Sequence, residues 1–244
     1  MQPIGEQVRA YPLVVGPIDA LLLDAGGVLV LPDRAAVSTA LGPGPWDEAP
    51  EVLDRAHYRA VAAVDDARPD SDRAIFPTYI AAYLEALEVS PGRRDVVDAF
   101  AAIFDVGAPT WTTVVSGSAA ALRTIARGHR VVVVSNSQGW MEQHLRDAGV
   151  CQVGPGAGAA VSAVIDSAYV GAEKPDARIF RAALEAVGVA ADRAVHVGDS
   201  IWFDVQGALA AGVRAFHFDP YGLCTETDHE HVARLADLGL VSEG

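Results

Sequence analysis

The sequence predicts an α/β fold with a doubly wound parallel sheet and a small all-helical insertion near its start. Two apolar runs, 21–23 and 131–134, do not alternate with polar residues, which is typical of parallel strands covered by helices on both faces. From residue 119 onward, amphipathic stretches alternate with short apolar runs and glycines, as in a repeated βα pattern. Between residues 32 and 109, helical spacing of apolar residues continues without strand-like runs.

The individual elements of the sheet layer follow from these patterns. Strands are predicted at 20–23, 130–135, 163–166, 194–198 and 213–218. Helices are predicted at 119–127, 138–148, 176–187 and 203–211. Each helix is expected to end at a glycine, because glycine accepts the left-handed conformation that closes a helix. These glycines are Gly128, Gly149, Gly188 and Gly212.

The inserted segment, residues 32–111, is predicted to form a helical cap on an α/β core made of residues 1–31 and 112–244. Because it starts directly after the first strand, it should lie above the carboxyl ends of the strands, where open α/β sheets bind ligands. Its helices are predicted at 48–64, 75–89 and 93–104.

Composition limits the class of protein. The 244 residues are 51% apolar, yet no uncharged apolar run approaches the roughly 20 residues that cross a bilayer. Residues 1–16 do not resemble a secretory signal, and a formal charge of −14 disfavours nucleic acid as a partner. Cys151 and Cys224 form no CxxC pair, so neither a disulfide nor a zinc site is predicted. We expect a soluble, cytoplasmic protein without a membrane partner.

Two motifs in the first half of the chain stand at the ends of predicted strands. The sequence Leu-Leu-Leu-Asp-Ala-Gly-Gly-Val-Leu at 21–29 places Asp24 directly after the first strand. The sequence Val-Ser-Asn at 134–136 contributes Ser135 and Asn136. A hydroxyl and backbone N–H groups at such a strand-to-helix turn are suited to hold a phosphate oxygen.

Two further motifs follow in the second half. In Glu-Lys-Pro at 173–175, proline is predicted to take the first helical position and so to fix where Lys174 projects. Val-Gly-Asp-Ser at 197–200 contains Asp199, and Asp204 follows it by five residues. Hard oxygen ligands of this kind suit magnesium.

In their order and spacing the four motifs resemble those of the haloacid-dehalogenase superfamily, and the resemblance covers nearly the whole chain, including a helical cap inserted after the first strand. It implies a hydrolase, with a phosphatase of a small phosphorylated metabolite as the leading interpretation. In that interpretation Asp24 attacks phosphorus and forms an aspartyl-phosphate that water hydrolyses. Ser135, Asn136 and Lys174 would bind the phosphate, and Lys174 would also assist catalysis.

The same resemblance implies a Mg²⁺ site. Asp24, the backbone carbonyl of Gly26 and Asp199 would be its ligands, with Asp204 completing the site from just outside.

Each of these residues also has a purely structural interpretation. Asp24 could cap a turn after a buried strand, and Ser135 could cap the next helix. Lys174 could be an ordinary solvated lysine. Asp199 and Asp204 could place negative charge at the start of a helix. The order of the four motifs, each at a predicted strand end, favours the catalytic interpretation.

One position departs from the pattern of the superfamily's phosphatases, which usually carry a second aspartate two residues after the nucleophile. Gly26 occupies that position, so the usual general acid is absent. Three explanations stay open. The enzyme could act on substrates with good leaving groups or take its proton from another residue; it could be a metal-independent 2-haloacid dehalogenase; or it could be an impaired, binding-only relative.

Residues that set substrate preference are harder to identify from sequence. Candidates in the cap region are His57, Tyr58, Arg59, Tyr79 and Trp111, although packing is the simpler role for each. His57 is also a candidate for the missing acid, since an unperturbed imidazole pKa of roughly 6.5 suits proton transfer.

For the two ends of the chain, the sequence predicts structure but no functional role. Residues 1–17 are expected to lie on the surface as an extension. In the tail, His217, His229 and His231 match no zinc spacing, so the sequence predicts a solvated turn before an amphipathic segment at 232–238.

Overall fold

A six-stranded parallel sheet forms the centre of the molecule, in the order β11-β10-β9-β2-β5-β8. The computed structural model describes residues 13–15, 18–68, 72–104 and 110–240. The strands in chain order are β1 (Leu13–Val15), β2 (Ala20–Leu23), β3 (Val30–Pro32), β4 (Trp111–Val114), β5 (Arg130–Ser135), β6 (Cys151–Val153), β7 (Ala159–Val161), β8 (Ala163–Asp166), β9 (Ala194–Gly198), β10 (Arg214–Phe218), β11 (Glu230–Val232) and β12 (Leu238–Leu240).

Helices cover both faces of this sheet, which confirms the predicted α/β class. Successive residues of a strand point to opposite faces, so β2 and β5 contribute side chains to two separate cores. Leu21 and Val133 pack with α5 and α6 on one face, whereas Leu22 and Val132 pack with α8 and α9 on the other. The helices are α1 (Arg34–Leu41), α2 (Glu51–Ala67), α3 (Asp72–Ala86), α4 (Arg94–Ile103), α5 (Ser118–Ile125), α6 (Met141–Asp147), α7 (Ser167–Val170), α8 (Ala177–Val187) and α9 (Gly207–Ala210).

Helices α1 to α4 lie between β3 and β4, which pair as an antiparallel ladder. They share a third core, built on large side chains such as Leu53, Tyr83 and Phe100. The sequence predicted three of these helices but missed α1, whose start is fixed locally by Asp33: its side chain accepts a hydrogen bond from the backbone N–H of Ala36. We call α1 to α4 the inserted helices.

In the tail, the segment predicted to be amphipathic, 232–238, runs from the end of β11 through a 3₁₀ turn, Leu235–Asp237, into β12. The apolar residues Val232, Leu235 and Leu238 are all buried, and a spacing of three residues suits this strand–turn–strand path as well as a helix. β12 pairs with β1, while the rest of the predicted extension at 1–17 lies outside the described residues.

Some helix boundaries also differ. The helix predicted at 203–211 begins earlier, as a π-helical turn over Ile201–Gln206, and continues into α9. Within the described part of the chain, none of the helices combines the length and the apolar character required to traverse a bilayer.

Candidate active site

Neighbouring strands bring three of the predicted residues to one edge of the sheet. Asp24 follows β2, Ser135 ends β5 and Asp199 follows β9, and these strands are adjacent in the order β9-β2-β5. The carboxylates of Asp24, Asp199 and Asp204 each offer an oxygen within 4.8 Å of the others. Sequence-distant acids therefore converge at the carboxyl ends of the strands, where open α/β sheets bind ligands.

Lys174 joins this group. Its Nζ lies 2.7 Å from Asp24 Oδ1 and 2.7 Å from Asp204 Oδ1, and its side chain is only 4% exposed. It is also the only lysine of the chain. We refer to Asp24, Lys174, Asp199 and Asp204 as the acidic floor. The solvated alternative for Lys174 is wrong, because a lysine this buried is held by its partners.

The charges of the acidic floor do not balance. Burial raises the pKa of Asp24 well above its ordinary value, although the charge of Lys174 opposes the shift. Burial, reinforced by the charge of Asp204, raises the pKa of Asp199 to about 8. Burial would lower the pKa of Lys174, but the two carboxylates outweigh it and raise that pKa. Were all three carboxyl groups ionised, one ammonium would leave a surplus of two negative charges, and the raised pKa values of Asp24 and Asp199 reflect this. Hard oxygen donors in this arrangement fit a divalent cation such as magnesium, whose charge would offset the surplus.

Asp204 is held by more partners than the other acids. Its Oδ1 accepts from Lys174 Nζ at 2.7 Å and lies 2.9 Å from His196 Nε2, while its Oδ2 accepts from the backbone N–H of Ser200 at 3.3 Å. Burial opposes ionisation here, but Lys174 and His196 outweigh it and lower the pKa of Asp204. Its oxygens are thus used to orient Lys174 and the turn after β9.

The loop that carries Lys174 is fixed by Asn136. The Asn136 Oδ1 accepts from the backbone N–H of Lys174 at 2.7 Å, and its Nδ2 donates to the Lys174 carbonyl at 3.1 Å. Pro175 does not take the first helical position as predicted, since α8 begins at Ala177 after the N-cap Asp176. The paired amide of Asn136, rather than a helix start, positions the lysine.

Two capping alternatives from the sequence are also wrong. Ser135 is buried at the end of β5 and lies far before α6, whose N-cap is Trp140. The π-helical turn after β9 is capped by Ser200, whose side chain accepts from Phe203 N, so Asp199 does not serve as the cap.

Gly27 allows the side chain of Asp199 to approach the backbone closely. Its φ is +68°, and a Cβ built there would lie 1.9 Å from Asp199 Oδ2. Only glycine allows both this backbone conformation and the approach of the carboxylate.

The inserted helices contribute directly to the site through His57 of α2. His57 is buried, with Nε2 2.9 Å from Asp199 Oδ2 and Nδ1 2.8 Å from the Tyr79 hydroxyl. Burial lowers the pKa of His57 to about 3, so the ring is neutral at pH 7. A neutral ring donates from Nε2 to Asp199 and accepts from Tyr79 at Nδ1, which orients the acid.

The other sequence candidates fall into two groups. Tyr79 and Trp111 line the cleft with His57. Tyr58 does not line it; its hydroxyl donates to the carbonyl of Gly27 at 2.6 Å. Arg59 is exposed.

Sequence reasoning missed Asp65, which lies on the buried side of α2. Its carboxylate accepts from Ser200 Oγ at 2.5 Å and from the backbone N–H groups of Ile201 and Trp202 at 2.7 and 3.0 Å. It therefore ties α2 to the turn after Asp199. The available signal was an acid at the edge of the apolar stripe that includes Ala60 and Val64.

A cleft of about 250 Å³ opens above the acidic floor. Its opposite wall comes from α2, α3 and the end of the insertion and is mainly apolar and aromatic. We call this wall the apolar roof; it comprises Val61, Val64, Ile75, Phe76, Tyr79 and Phe104. A charged centre facing an apolar wall can hold a small ligand with one anionic end and one organic end.

The sequence profile of the haloacid dehalogenase-like hydrolases matches residues 18–212. The chain belongs to this family. The match spans the acidic floor and the inserted helices, and it confirms the family that the four motifs indicated.

Curated relatives of this family match shorter stretches. Phosphoserine phosphatase of Thermus thermophilus is 51% identical over 67 residues, which cover 28% of this chain and 27% of that protein. Haloacid dehalogenase-like hydrolase domain-containing protein 3 of Bos taurus is 34% identical over 113 residues, 46% of this chain and 42% of that protein. These matches span less than half the length of either relative.

Solved structures of the family share the fold over most of the chain. The magnesium-bound hydrolase YfnB of Bacillus subtilis has a TM-score of 0.58 at 15% identity and covers 90% of this chain and 96% of that one. A dehalogenase in an intermediate complex has a TM-score of 0.59 at 20% identity, with 92% and 96% covered.

Gly26 departs from the second aspartate expected of the family's phosphatases, and the structure shows what lies beside it. A Cβ built on Gly26 would meet the indole ring of Trp111 at 3.4 Å, in ordinary van der Waals contact. Trp111 therefore borders the space that a second aspartate would enter, and it packs edge-on against His57 at 5.6 Å between ring centroids.

Proposed function

We propose that this protein is a magnesium-dependent phosphatase that acts on a small phosphorylated metabolite through Asp24. The observation that carries the proposal is the acidic floor, in which one lysine faces three buried carboxylates. A bound cation would offset the negative charge of the three carboxylates, which favours a metal-dependent reaction over that of a metal-independent dehalogenase. The named phosphatases among the relatives point the same way.

The carboxylates of Asp24 and Asp199 and the backbone carbonyl of Gly26 would hold the magnesium ion, with Asp204 beside it. When bound, magnesium supplies positive charge to a phosphoryl group and makes its phosphorus more electrophilic. Ser135 lines the cleft beside Asp24, and its hydroxyl would donate to a phosphate oxygen.

The carboxylate of Asp24 would attack phosphorus, while the bond between phosphorus and the ester oxygen breaks and the leaving group departs with its electron pair. Water then attacks the phosphorus of the aspartyl-phosphate, which releases inorganic phosphate and restores Asp24. Lys174 stabilises negative charge throughout, since its Nζ lies 2.7 Å from the attacking carboxylate.

The absence of an acid at Gly26 limits the substrates. A general acid contributes roughly 10²- to 10⁴-fold when the leaving oxygen is basic. His57 is neutral and bonded to Asp199 and Tyr79, so we assign it to holding Asp199 rather than to protonating the leaving group. We therefore expect a preference for phosphate esters with acidic leaving groups, such as aryl phosphates, whose rings the apolar roof could accept.

We also propose that residues 32–111 act as a cap and that residues 1–31 with 112–244 form the catalytic core. Selectivity would then depend on the apolar roof, and chemistry on the acidic floor.

The test measures phosphate release from para-nitrophenyl phosphate with and without magnesium, and halide release from short 2-haloacids in parallel. We expect magnesium-dependent phosphate release that falls about 10⁴-fold or more in Asp24→Asn. Asp98→Asn, an exposed acid of α4, is the matched control and should retain full activity.

Two results would overturn the proposal. Halide release without metal would assign the protein to the dehalogenases. If a folded protein released neither phosphate nor halide, a binding role would be supported.

A further inference from the structure

A second group of metal-binding side chains lies behind the acidic floor, at the end of the sheet. His217, Cys224, His229 and His231 each offer a ligand atom, and these atoms all lie within 4.8 Å of one another. We call them the imidazole–thiol cluster. The solvated turn predicted for this segment does not describe them, since His217 and the side chain of His229 are buried. Strand pairing brings them together: His217 of β10 and His231 of β11 are register partners.

Two separations inside the cluster match those of a zinc site. With Zn–N near 2.0–2.1 Å and Zn–S near 2.3 Å, a tetrahedron separates two nitrogens by about 3.3 Å and nitrogen from sulfur by about 3.6 Å. His217 Nδ1 lies 3.3 Å from His229 Nε2, and Cys224 Sγ lies 3.7 Å from the same nitrogen. Around His229, the neighbouring ligand atoms thus already sit at the edge lengths of a zinc tetrahedron.

Each histidine also has an oxygen acceptor on its other ring nitrogen. His217 Nε2 lies 3.1 Å from the carbonyl of Asp199, and His231 Nε2 lies 3.1 Å from the carbonyl of Glu226. His229 Nδ1 lies 2.7 Å from Asp228 Oδ1. Metal-bound histidines almost always donate their second N–H to such oxygens, which fixes the tautomer and orients the ring.

These outer contacts leave the remaining ring nitrogens of His217 and His229 facing one another. His217 Nδ1 and His229 Nε2 lie 3.3 Å apart, so one ring can donate to the other while no metal is bound. A cation between the two nitrogens would replace that single hydrogen with two bonds.

The loop that carries the thiol is fixed as well. Asp219 accepts from the backbone N–H groups of Leu223 and Cys224, both at 2.9 Å. The turn therefore presents Cys224 toward the histidines through contacts that involve no ligand atom.

We propose that the imidazole–thiol cluster is a structural zinc site with one thiolate and three imidazole ligands. Nitrogen and sulfur donors select zinc over magnesium, and four protein ligands leave no open position for catalysis. The thiol proton of Cys224 leaves to solvent when the metal binds. Through His217, the site also holds the backbone carbonyl of Asp199.

The test counts zinc in the full chain, purified without a tag and desalted. We expect one zinc per chain in the wild type and none in Cys224→Ser. Cys151→Ser, the same change at the other cysteine, should retain the zinc. Asp228→Ala removes only the acceptor on His229, and its zinc affinity should fall about 10- to 100-fold. Asp228 is 81% exposed, so this variant should fold even if Cys224→Ser does not, and exposed Asp192→Ala is its control.

Cobalt substitution distinguishes this site from the acidic floor. Cobalt in the cluster should give a thiolate charge-transfer band and the intense visible bands of tetrahedral cobalt. Asp24→Asn should retain both the zinc and the cobalt spectrum, so the result does not depend on phosphatase activity. A wild type that takes up no zinc from a micromolar solution would overturn the proposal, and so would zinc that is lost in Asp24→Asn but kept in Cys224→Ser.

Discussion

The two walls of the cleft are built on opposite principles. The acidic floor stands at the ends of the parallel strands, and its charged groups are buried and paired with one another. The apolar roof comes from the inserted helices and makes its contacts through rings and aliphatic side chains, as in the edge-on pair of Tyr79 and Phe104. Changes in the floor should therefore alter chemistry and stability together, whereas changes in the roof should alter substrate preference alone.

The largest effect is expected where the floor loses its cation. In Lys174→Met, Asp24 and Asp204 lose the ammonium that each contacts at 2.7 Å. Removing one partner of a buried ion pair costs about 3–5 kcal/mol, so urea unfolding should shift by that amount and activity should be lost.

Adding Asp204→Asn to Lys174→Met should recover part of the lost stability, because one stranded charge is then removed. An unchanged free energy of unfolding in Lys174→Met would show that the floor does not depend on its lysine.

A gain of function is expected at the boundary between the walls. Trp111 borders the space beside Gly26, so Gly26→Asp with Trp111→Ala should give a general acid there the most room. Turnover of an alkyl phosphate should rise about 10²-fold over the wild type, while turnover of an aryl phosphate changes less. Gly26→Asp alone is the control and should gain less, because the indole restricts the conformations of the carboxylate. If the double variant gained no turnover of alkyl phosphates, the absence of an acid at residue 26 would not be what limits the substrate range.

A smaller effect is expected from the roof alone. Phe76 lines the cleft and packs against Phe104 with ring centroids 5.5 Å apart. Phe76→Ala should raise the KM for aryl phosphates roughly three- to tenfold, equivalent to about 1 kcal/mol, and leave kcat and the hydrolysis of acetyl phosphate unchanged. A fall in kcat would mean that the roof takes part in the chemistry.

A pH-dependent effect on stability is expected from Asp65, which joins the walls. Burial raises its pKa from 3.8 to about 7, so the folded protein holds this proton where the unfolded chain has lost it. That contribution to stability is complete below about pH 4 and is lost as the pH rises through about 7.

Thermal unfolding between these pH values tests this. The wild type should lose stability with rising pH relative to Asp65→Asn, while Asp66→Asn, its exposed neighbour, should follow the wild type. If the stability of all three proteins changed with pH in the same way, Asp65 would not be the group responsible for the pH dependence.

The sequence predicted most of the sheet because its central strands are short apolar runs that alternate with amphipathic stretches and glycines. β2, β5, β8 and β9 have the predicted bounds, and the predicted floor residues converge because parallel strands end at one edge. Trp111 and Asp65 could not be assigned in the same way, since their roles depend on how the inserted helices pack against the sheet. Pro175 was predicted at the first helical position, but it lies before α8, because Asp176 is the N-cap of that helix.

The side-chain cluster in the histidine tail could not be predicted for a related reason. Metal motifs are recognised in sequence by short, regular spacings, but His217 and His231 are brought together by strand register rather than by a local turn.

The adjacent glycines after Asp24 have unequal evolutionary freedom. At position 27 even a methyl group would lie 1.9 Å from an oxygen of Asp199, so any replacement must dislodge that acid. At position 26 the nearest atom is 3.4 Å away, at the edge of an indole, and a methyl group is tolerated. Descendants of this protein can therefore vary at residue 26 in step with Trp111, while residue 27 stays closed to change for as long as Asp199 keeps its place.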